Sequence, residues 1–435
     1  MPPILTKDQE EAKDKFLRFM LSNEREFYLF GPAGSGKSFL IDQLSQLVCS
    51  TEYANARKLL GLPKDNRCAV IAATTNKAAA VLSEFLHMQI DTIFAVFNIR
   101  VTEDYDNGTT KLFHERQTEP YEDAVYFIDE CSMLSREALS LIRKYAPPTS
   151  KLVFIGDNNQ LAPVNEKPYW NQTPDFNTAI LKTPVRNKDH KALMDLCEQL
   201  KQTVITGSFK DIHCTKGVID HLNNDEVEEV VKTFNAYDDI ILSYTNERVD
   251  ACLKSLKELR PELANERYLI NASHYVTLYK PGAFSQDAPS IFPEEHVTLI
   301  SSRGIASLPD ITDVKGGRIR VLRYVIHSSI LNGAVVCNVI TAKDQQFYLK
   351  QFARTKRWRD YFYIKNGTMV LRLPHASTIH KAQGSTFNRV LIDLDSFKAC
   401  RDPETLARLL YVAVSRAKNH VYLTGSLPKG YGRIL

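Results

Sequence analysis

Gly31 to Ser38 reads GPAGSGKS, which matches the spacing G-x-x-x-x-G-K-S. The apolar run Phe27 to Phe30 precedes it and the helical pattern Phe39, Leu40, Leu44, Leu47 follows, so the chain passes here from strand to helix. A turn of this kind binds phosphate. Gly31, Pro32, Ala33, Gly34, Ser35 and Gly36 can aim backbone N–H groups at phosphate oxygens, and the helix N-terminus adds its positive dipole end. Lys37 would reach the outer phosphates of ATP. Ser38 would hold Mg²⁺, which keeps most of its ligands as water and phosphate oxygen.

Residues suited to the same chemistry recur downstream. The apolar run Ala124 to Ile128 ends in Asp129-Glu130, and Lys151 to Ile155 ends in Gly156-Asp157, with Gln160 just beyond. Asp129 can hold magnesium through water, and Glu130 can orient and deprotonate an attacking water. Gln160 is placed to sense a γ-phosphate or to remain an exposed loop amide. At the start of the chain, Thr6-Lys7-Asp8-Gln9 forms a capping box before an amphipathic helix carrying Ala12, Phe16, Phe19 and Met20. Closing that box is a sufficient task for Gln9.

The elements that must position these groups follow from the pattern. Apolar runs at Phe27 to Phe30, Cys68 to Thr75, Ala124 to Ile128 and Lys151 to Ile155 alternate with helical segments, among them Lys77 to Leu86. Such a series predicts a parallel sheet covered on both faces, binding ligands at the carboxyl ends of its strands. All four runs carry their polar residues at that end. With 435 residues the chain is too long for one core, and two to four domains are expected. A net charge of +4 requires any nucleic-acid surface to be local rather than a general basic coat. Eight cysteines without a C-x-x-C pair imply reduced thiols and a cytosolic setting. No apolar run approaches the roughly 18 residues of a membrane span, and the start has no signal-peptide apolar core, so a soluble, unexported protein is expected.

Two insertions interrupt the pattern. Val101 to Glu115 predicts a hairpin turning at Asn107-Gly108 through a type I′ turn, with φ > 0 at both residues. It is either surface decoration or a projection able to split a duplex. After a helical stretch from Leu181 through Lys201, the strand Asp239 to Ser243, ending at Tyr244-Thr245-Asn246, begins a second α/β unit. Between about 272 and 374 the residues are β-branched and turn-rich, as a small β-barrel insert would be. Within it, Lys350 to Tyr363 interleaves Lys350, Arg354, Lys356, Arg357 and Arg359 with Trp358, Tyr361, Phe362 and Tyr363. Charge and aromatic faces together suit single-stranded nucleic acid, and a solvated helix with its rings in the core fits equally. The second unit resumes with Ala376 to Thr386, the strand Val390 to Leu394, a helix starting at Asp402-Pro403 and ending near Arg416 and Lys418, and a last strand Val421 to Thr424.

Taken together these blocks resemble the superfamily 1 helicases, most closely their phage Dda-like, RecD-related 5′-to-3′ branch, superfamily 1B. GPAGSGKS resembles motif I, FIDECSML (Phe127 to Leu134) motif II, GDNNQLAPV (Gly156 to Val164) motif III, ASTIHKAQGST motif V and LYVAVSRA (Leu410 to Ala417) motif VI. The resemblance runs from Thr6 to Leu423, with the blocks in family order. It implies an α/β fold of two RecA-like P-loop lobes, with a β-hairpin insertion in the first and an SH3-like β insertion in the second. The first lobe would take 1–98 and 117–185, the hairpin or pin 99–116, the second lobe 186–271 and 375–435, and the β insertion 272–374.

The resemblance also implies roles. Gln9 would contact adenine, which competes with capping, and Gln160 would link γ-phosphate to DNA. Arg186 and Arg416 would stabilise charge on the transferring phosphoryl group. Thr74, Thr92, Phe94, Asn107, Thr245, Asn246, Thr378 and His380 would meet DNA, as would Trp358 on the reading of the basic and aromatic segment itself, while Gln383 and Gly384 would lie beside the nucleotide. Two blocks depart from the family pattern. Ala73-Thr74-Thr75 lacks the usual proline, and Thr92-Ile93-Phe94 has a phenylalanine where the family has histidine, a ring suited to stacking. The implied activity is ATP- and Mg²⁺-dependent 5′-to-3′ translocation with duplex unwinding. The alternative is a translocase that strips bound proteins without melting duplex. The implied partners are single-stranded DNA and its junctions, with a single-stranded DNA-binding protein or replisome component, for a monomer in a host bacterial cytoplasm and in replication, recombination or repair.

Overall fold

Alternate residues of the first-lobe strands are apolar on both sides, which a strand can satisfy only when buried between two layers. In the computed structural model, which describes residues 5–115, 123–163, 166–170, 173, 175–183, 190–235, 237–278, 290–328 and 330–435, they are so buried. Phe27 and Leu29 pack with Phe16, Phe19, Leu40 and Leu44 under the helices Lys7–Leu21 and Lys37–Val48. Tyr28 and Phe30 turn to the opposite face, with Tyr126, Phe154, Trp170 and Ile142 of the helix Arg136–Tyr145. Each such buried side chain contributes about 1.5–3 kcal/mol.

The first sheet is parallel, ordered Asp91–Thr92, Cys68–Ala73, Ala124–Asp129, Lys151–Gly156, Glu26–Phe30, Thr178–Ile180. Its last strand lies just before the residues expected to turn helical at Leu181. Leu181 itself donates its backbone N–H to the Phe30 carbonyl at 2.7 Å, and the helix runs Lys191–Thr206. The second sheet is also parallel, ordered Ala376–Thr378, Asp239–Ser243, Phe387–Asp393, Ala417–Thr424, Ile219–Leu222. Its edge strand Ile219–Leu222 is too short and too polar in pattern to be recognised from periodicity. The helix Pro403–Ser415 starts as expected, with Asp402 accepting from the Thr405 N–H at 2.8 Å.

Between these units stands an antiparallel sheet of Gly333–Val339, Arg318–Ser328, His296–Thr312, Tyr268–Asn271 and Leu371–Arg372. One of its strands, Tyr268–Asn271, begins upstream of 272. The basic and aromatic segment forms the ends of two helices, Ala342–Arg354 and Trp358–Gly367.

The hairpin pairs Ile99–Asp104 with Thr109–His114. Its turn differs from the expected type I′. The loop holds four residues, Tyr105 to Gly108, and of Asn107 and Gly108 only Gly108 has positive φ, at 69°. The Asp104 carboxylate explains the difference. It accepts from the backbone N–H of Asp106 and of Asn107, each at 3.0 Å, and so stabilises a wider turn in which only the last residue must be left-handed.

Candidate functional site

The P-loop follows strand Glu26–Phe30 and opens helix Lys37–Val48. Gly34 and Gly36 sit at φ 77° and 82°, where other residues are strained. At Gly31 space is the constraint, since a Cβ there would lie 2.6 Å from Ser35 Oγ and 2.8 Å from Leu181 Cβ. Lys37 Nζ donates to the carbonyls of Gly31 at 2.8 Å and Pro32 at 3.0 Å, so its ammonium lies across the loop. Gln9 serves the cap and the loop together. Its Oε1 accepts from Thr6 N at 3.0 Å and its Nε2 donates to the Ser35 carbonyl at 3.1 Å. The neighbouring Asp8 accepts the backbone N–H groups of Lys182 and Thr183 at 2.7 and 2.8 Å. Burial pushes its carboxyl up, but the bonds from Thr6, Thr183 and Lys182 outweigh it and hold it at about 2.

The carboxylate pair ends strand Ala124–Asp129. Asp129 Oδ1 accepts from the Glu130 N–H at 2.8 Å, and Glu130 is left-handed at φ 54°, ψ 38°. Burial pushes the Asp129 carboxyl up, the negative Glu130 adds to this, and Lys37 opposes it. A dication beside it would reverse that balance. Ser38 and Asp129 are hard oxygen donors of the type magnesium takes. Among the described residues, Ser35 Oγ, Glu130 Oε2 and Gln160 Oε1 are buried without a partner, a set that phosphate, water and metal would satisfy. These residues therefore fit nucleotide and magnesium.

The second lobe closes over this centre. Gly384 approaches it so nearly that a Cβ there would lie 3.8 Å from Glu130 Oε1. Arg416 is buried and donates to the carbonyls of Val412 and Ser385 at 3.2 and 3.1 Å, so it also meets the end of its own helix. Gln383 Nε2 donates to the Leu161 carbonyl at 3.4 Å. Arg186 lies outside the described residues. Two residues not singled out from sequence bind the loop that carries Gln160. Arg408 donates to the carbonyls of Asn158 and Gln160 at 2.8 and 2.9 Å, and the Tyr411 hydroxyl donates to Asp157 Oδ2 at 2.6 Å. A signal was present in Arg408, a charge standing between Leu406-Ala407 and the apolar run Leu409 to Val414.

A groove of 2660 Å³ runs between the first lobe with its hairpin and the β insertion, with His380, Lys381 and Gln383 of the second lobe also on its wall, and it brings together Thr74, Thr92, Phe94, His380 and Gln383. Thr74 and Thr92 also have local tasks. The Thr74 hydroxyl donates to the Glu130 carbonyl at 3.1 Å, and Thr92 caps the turn Ile93–Val96. Lys77, Arg323 and Arg359 bring positive charge to the groove, Arg100 and Lys381 are paired there with Glu115 at 3.1 Å and Glu294 at 2.8 Å, and Asp91 and Glu103 also line it. Of these cations only Arg359 stood out beforehand, as part of the basic segment. Thr245, Asn246, Thr378, Asn107 and Trp358 do not line it. Thr245 caps the helix Asn246–Leu259 with Asn246 exposed beside it, and the Thr378 hydroxyl accepts from the Lys381 N–H at 3.4 Å.

Asn107 bonds back to Asp104 Oδ2 at 2.9 Å, and the Trp358 ring lies against the turn at Gly108. The hairpin is in fact held at both ends. At its base Glu137 accepts from the Leu112 N–H at 3.1 Å and His114 stacks on Tyr145 at 3.9 Å. Near its tip Tyr105 meets Phe362 edge-on at 5.6 Å, and Glu103 accepts from Asn366.

Residues 4–219 match a family model described as an AAA domain, and residues 374–424 match one described as a UvrD-like helicase C-terminal domain. The chain is 22% identical over 460 residues to the ATP-dependent DNA helicase Dda of Enterobacteria phage T4, covering 96% of this chain and 98% of that one. An uncharacterised protein of Acanthamoeba polyphaga mimivirus is also 22% identical, over 95% of this chain and 98% of its own. Among solved structures, a Pif1 helicase from Bacteroides in complex with ADP-AlF3 and ssDNA aligns over 100% of this chain and 95% of its own, with 14% identity and a TM-score of 0.48.

Proposed function

We propose that this chain, which belongs to the superfamily 1 helicases of the Dda type, hydrolyses ATP to move 5′ to 3′ along single-stranded DNA and to unwind the duplex ahead. One observation carries the reading. Thr74 lines the groove and donates to the backbone of Glu130, the candidate general base, so the nucleotide site and the groove share a wall. ATP would lie on the P-loop with Lys37 turned from the loop carbonyls to its outer phosphates. Glu130 would take the proton of the attacking water, and Gln160, Arg186 and Arg416 would meet the γ-phosphate. Magnesium, when held at Ser38 and Asp129, would offset phosphate charge. Closure of the lobes is favoured only to the extent that nucleotide binds the closed state better, and contacts reaching from the second lobe supply that difference.

The groove has cations and the Phe94 ring for a single strand. The hairpin, docked at base and tip, is a wedge that resists being pushed aside. Its setting follows the resemblance: phage-type replication, recombination or repair, as a monomer in a bacterial cytoplasm.

The test is unwinding of a short duplex bearing either a 5′ or a 3′ single-stranded tail, with ATP and magnesium. Unwinding from the 5′ tail alone is expected. Unwinding from the 3′ tail alone would overturn the polarity. If neither tail supports unwinding while single strands still stimulate hydrolysis, the chain is a translocase without strand separation.

A further inference from the structure

The loop from Asp157 to Leu161 leaves a first-lobe strand and lines a small cavity with Ser132, Tyr169 and Trp170 of that lobe, yet the side chains that hydrogen-bond it from outside come from the second lobe. Leu161 is 3% exposed and packs in the second-lobe core with Leu196, Leu200 and Leu410. Asp157, 1% exposed, accepts the Tyr411 hydroxyl. Arg408, 4% exposed, spreads one guanidinium nitrogen over the carbonyls of Asn158 and Gln160. Gln383 reaches the carbonyl of Leu161. Within the loop, Gln160 N bonds Asp157 O at 3.1 Å and Asn159 N bonds Asp157 Oδ1 at 3.0 Å, so it is a small rigid unit.

We infer that this loop moves with the second lobe, and that Arg408 and Tyr411 are positioning residues that set where Gln160 stands relative to the P-loop. The inference rests on the reading of the chain as an ATP-driven motor. Its physical basis is the balance of attachments. The first lobe holds the loop through the chain at Gly156, whose carbonyl accepts from Gly31 N at 3.1 Å, and borders it with Ser132, Tyr169 and Trp170 around a small cavity. The second lobe holds it by a buried leucine and four hydrogen bonds, two of them from an ionised donor and one to a carboxylate, the stronger kind. When the lobes rotate, backbone torsion at Gly156 and Asp157 is softer than breaking that set. Gln160 then approaches or leaves the P-loop as the lobes close or open, and hydrolysis becomes conditional on closure. The guanidinium is needed because a lysine ammonium is a compact point charge without its rigid, planar set of donors.

The experiment compares Tyr411→Phe and Arg408→Lys in the full chain, with steady-state ATP hydrolysis on saturating oligo(dT). Both variants should keep KM for ATP within about twofold and lose about tenfold in kcat, with Arg408→Lys the worse, since 1.36 kcal/mol of barrier is tenfold in rate. An unchanged kcat in both, or a loss appearing only in KM, overturns the proposal. Hydrogen exchange on the parent protein decides independently of whether the variants fold. Adding ADP with aluminium fluoride should change protection of residues 157–161 in step with the helix Pro403–Ser415. Protection that instead follows the strand Lys151–Gly156 overturns the inference. Lys37→Ala separates the two levels. If it hydrolyses ATP normally, the motor reading fails, and if it is inactive while both positioning variants are normal, only this inference fails.

Discussion

The P-loop and the loop Asp157 to Leu161 leave neighbouring strands, with Phe30 paired to Gly156, and they are held in opposite ways. The P-loop is fixed by its own residues and by the first lobe, through two left-handed glycines, the Gln9 amide and the close packing of Gly31 on Leu181. The other loop is gripped from across the cleft by Arg408, Tyr411 and Gln383. Chemistry that must be ready in every state is built locally, and chemistry that must respond to closure is attached to the part that moves.

Perturbations of the two regions should differ in kind. The largest effect is expected at the centre both regions serve. Glu130→Gln should lower kcat about a thousandfold, the scale of general-base catalysis, while retaining nucleotide binding, as read by a fluorescent ATP analogue. An active variant would assign the base to another residue. Trimming Asp104 to Thr110 should reduce unwinding by about tenfold or more, equivalent to 1.4 kcal/mol of barrier, and leave single-strand-stimulated hydrolysis intact. Equal loss of both would mean that the hairpin supports the lobes rather than the strand-splitting step.

Gly31→Ala tests local construction directly. The added methyl meets Ser35 and Leu181, and KM for ATP should rise about tenfold with little change in kcat, the reverse of the split expected at Tyr411. A fall in kcat at constant KM would erase the distinction between the two loops.

The smallest effect concerns stability. Burial pushes His375, which is 2% exposed beside strand Ala376–Thr378, down to about 4 from its ordinary value of 6.5. The folded state thus refuses a proton that the unfolded state accepts. Its stability is complete above pH 6.5 and falls as the pH drops towards 4, by about 2 kcal/mol at pH 5, taking about 1.4 kcal/mol per pKa unit. Denaturant melts at pH 7 and pH 5 should show a smaller slope in His375→Gln than in the parent, the remainder coming from His274, His296 and His380, which burial also pushes down. A slope left undiminished by the substitution would place the acid sensitivity elsewhere.

Much of this protein was legible before its structure. The P-loop, Asp129 and Glu130, the parallel strands of both units, the Thr6–Gln9 cap and the Asp402-Pro403 helix start depend on residues within a few positions of one another. Glycine conformation, capping and the alternation of buried strands are local physics, so the order of residue types suffices for them. The hairpin turn was misread because a nearby carboxylate, Asp104, competed with the two-residue turn that Asn107-Gly108 would otherwise favour. The docking of Trp358 against that turn and the grip of Tyr411 on Asp157, 254 residues away, had no local signature. Such contacts exist only once the two sheets are packed, because a side chain's partner across a cleft is chosen by how the surrounding cores fill space, which neighbouring residues do not encode.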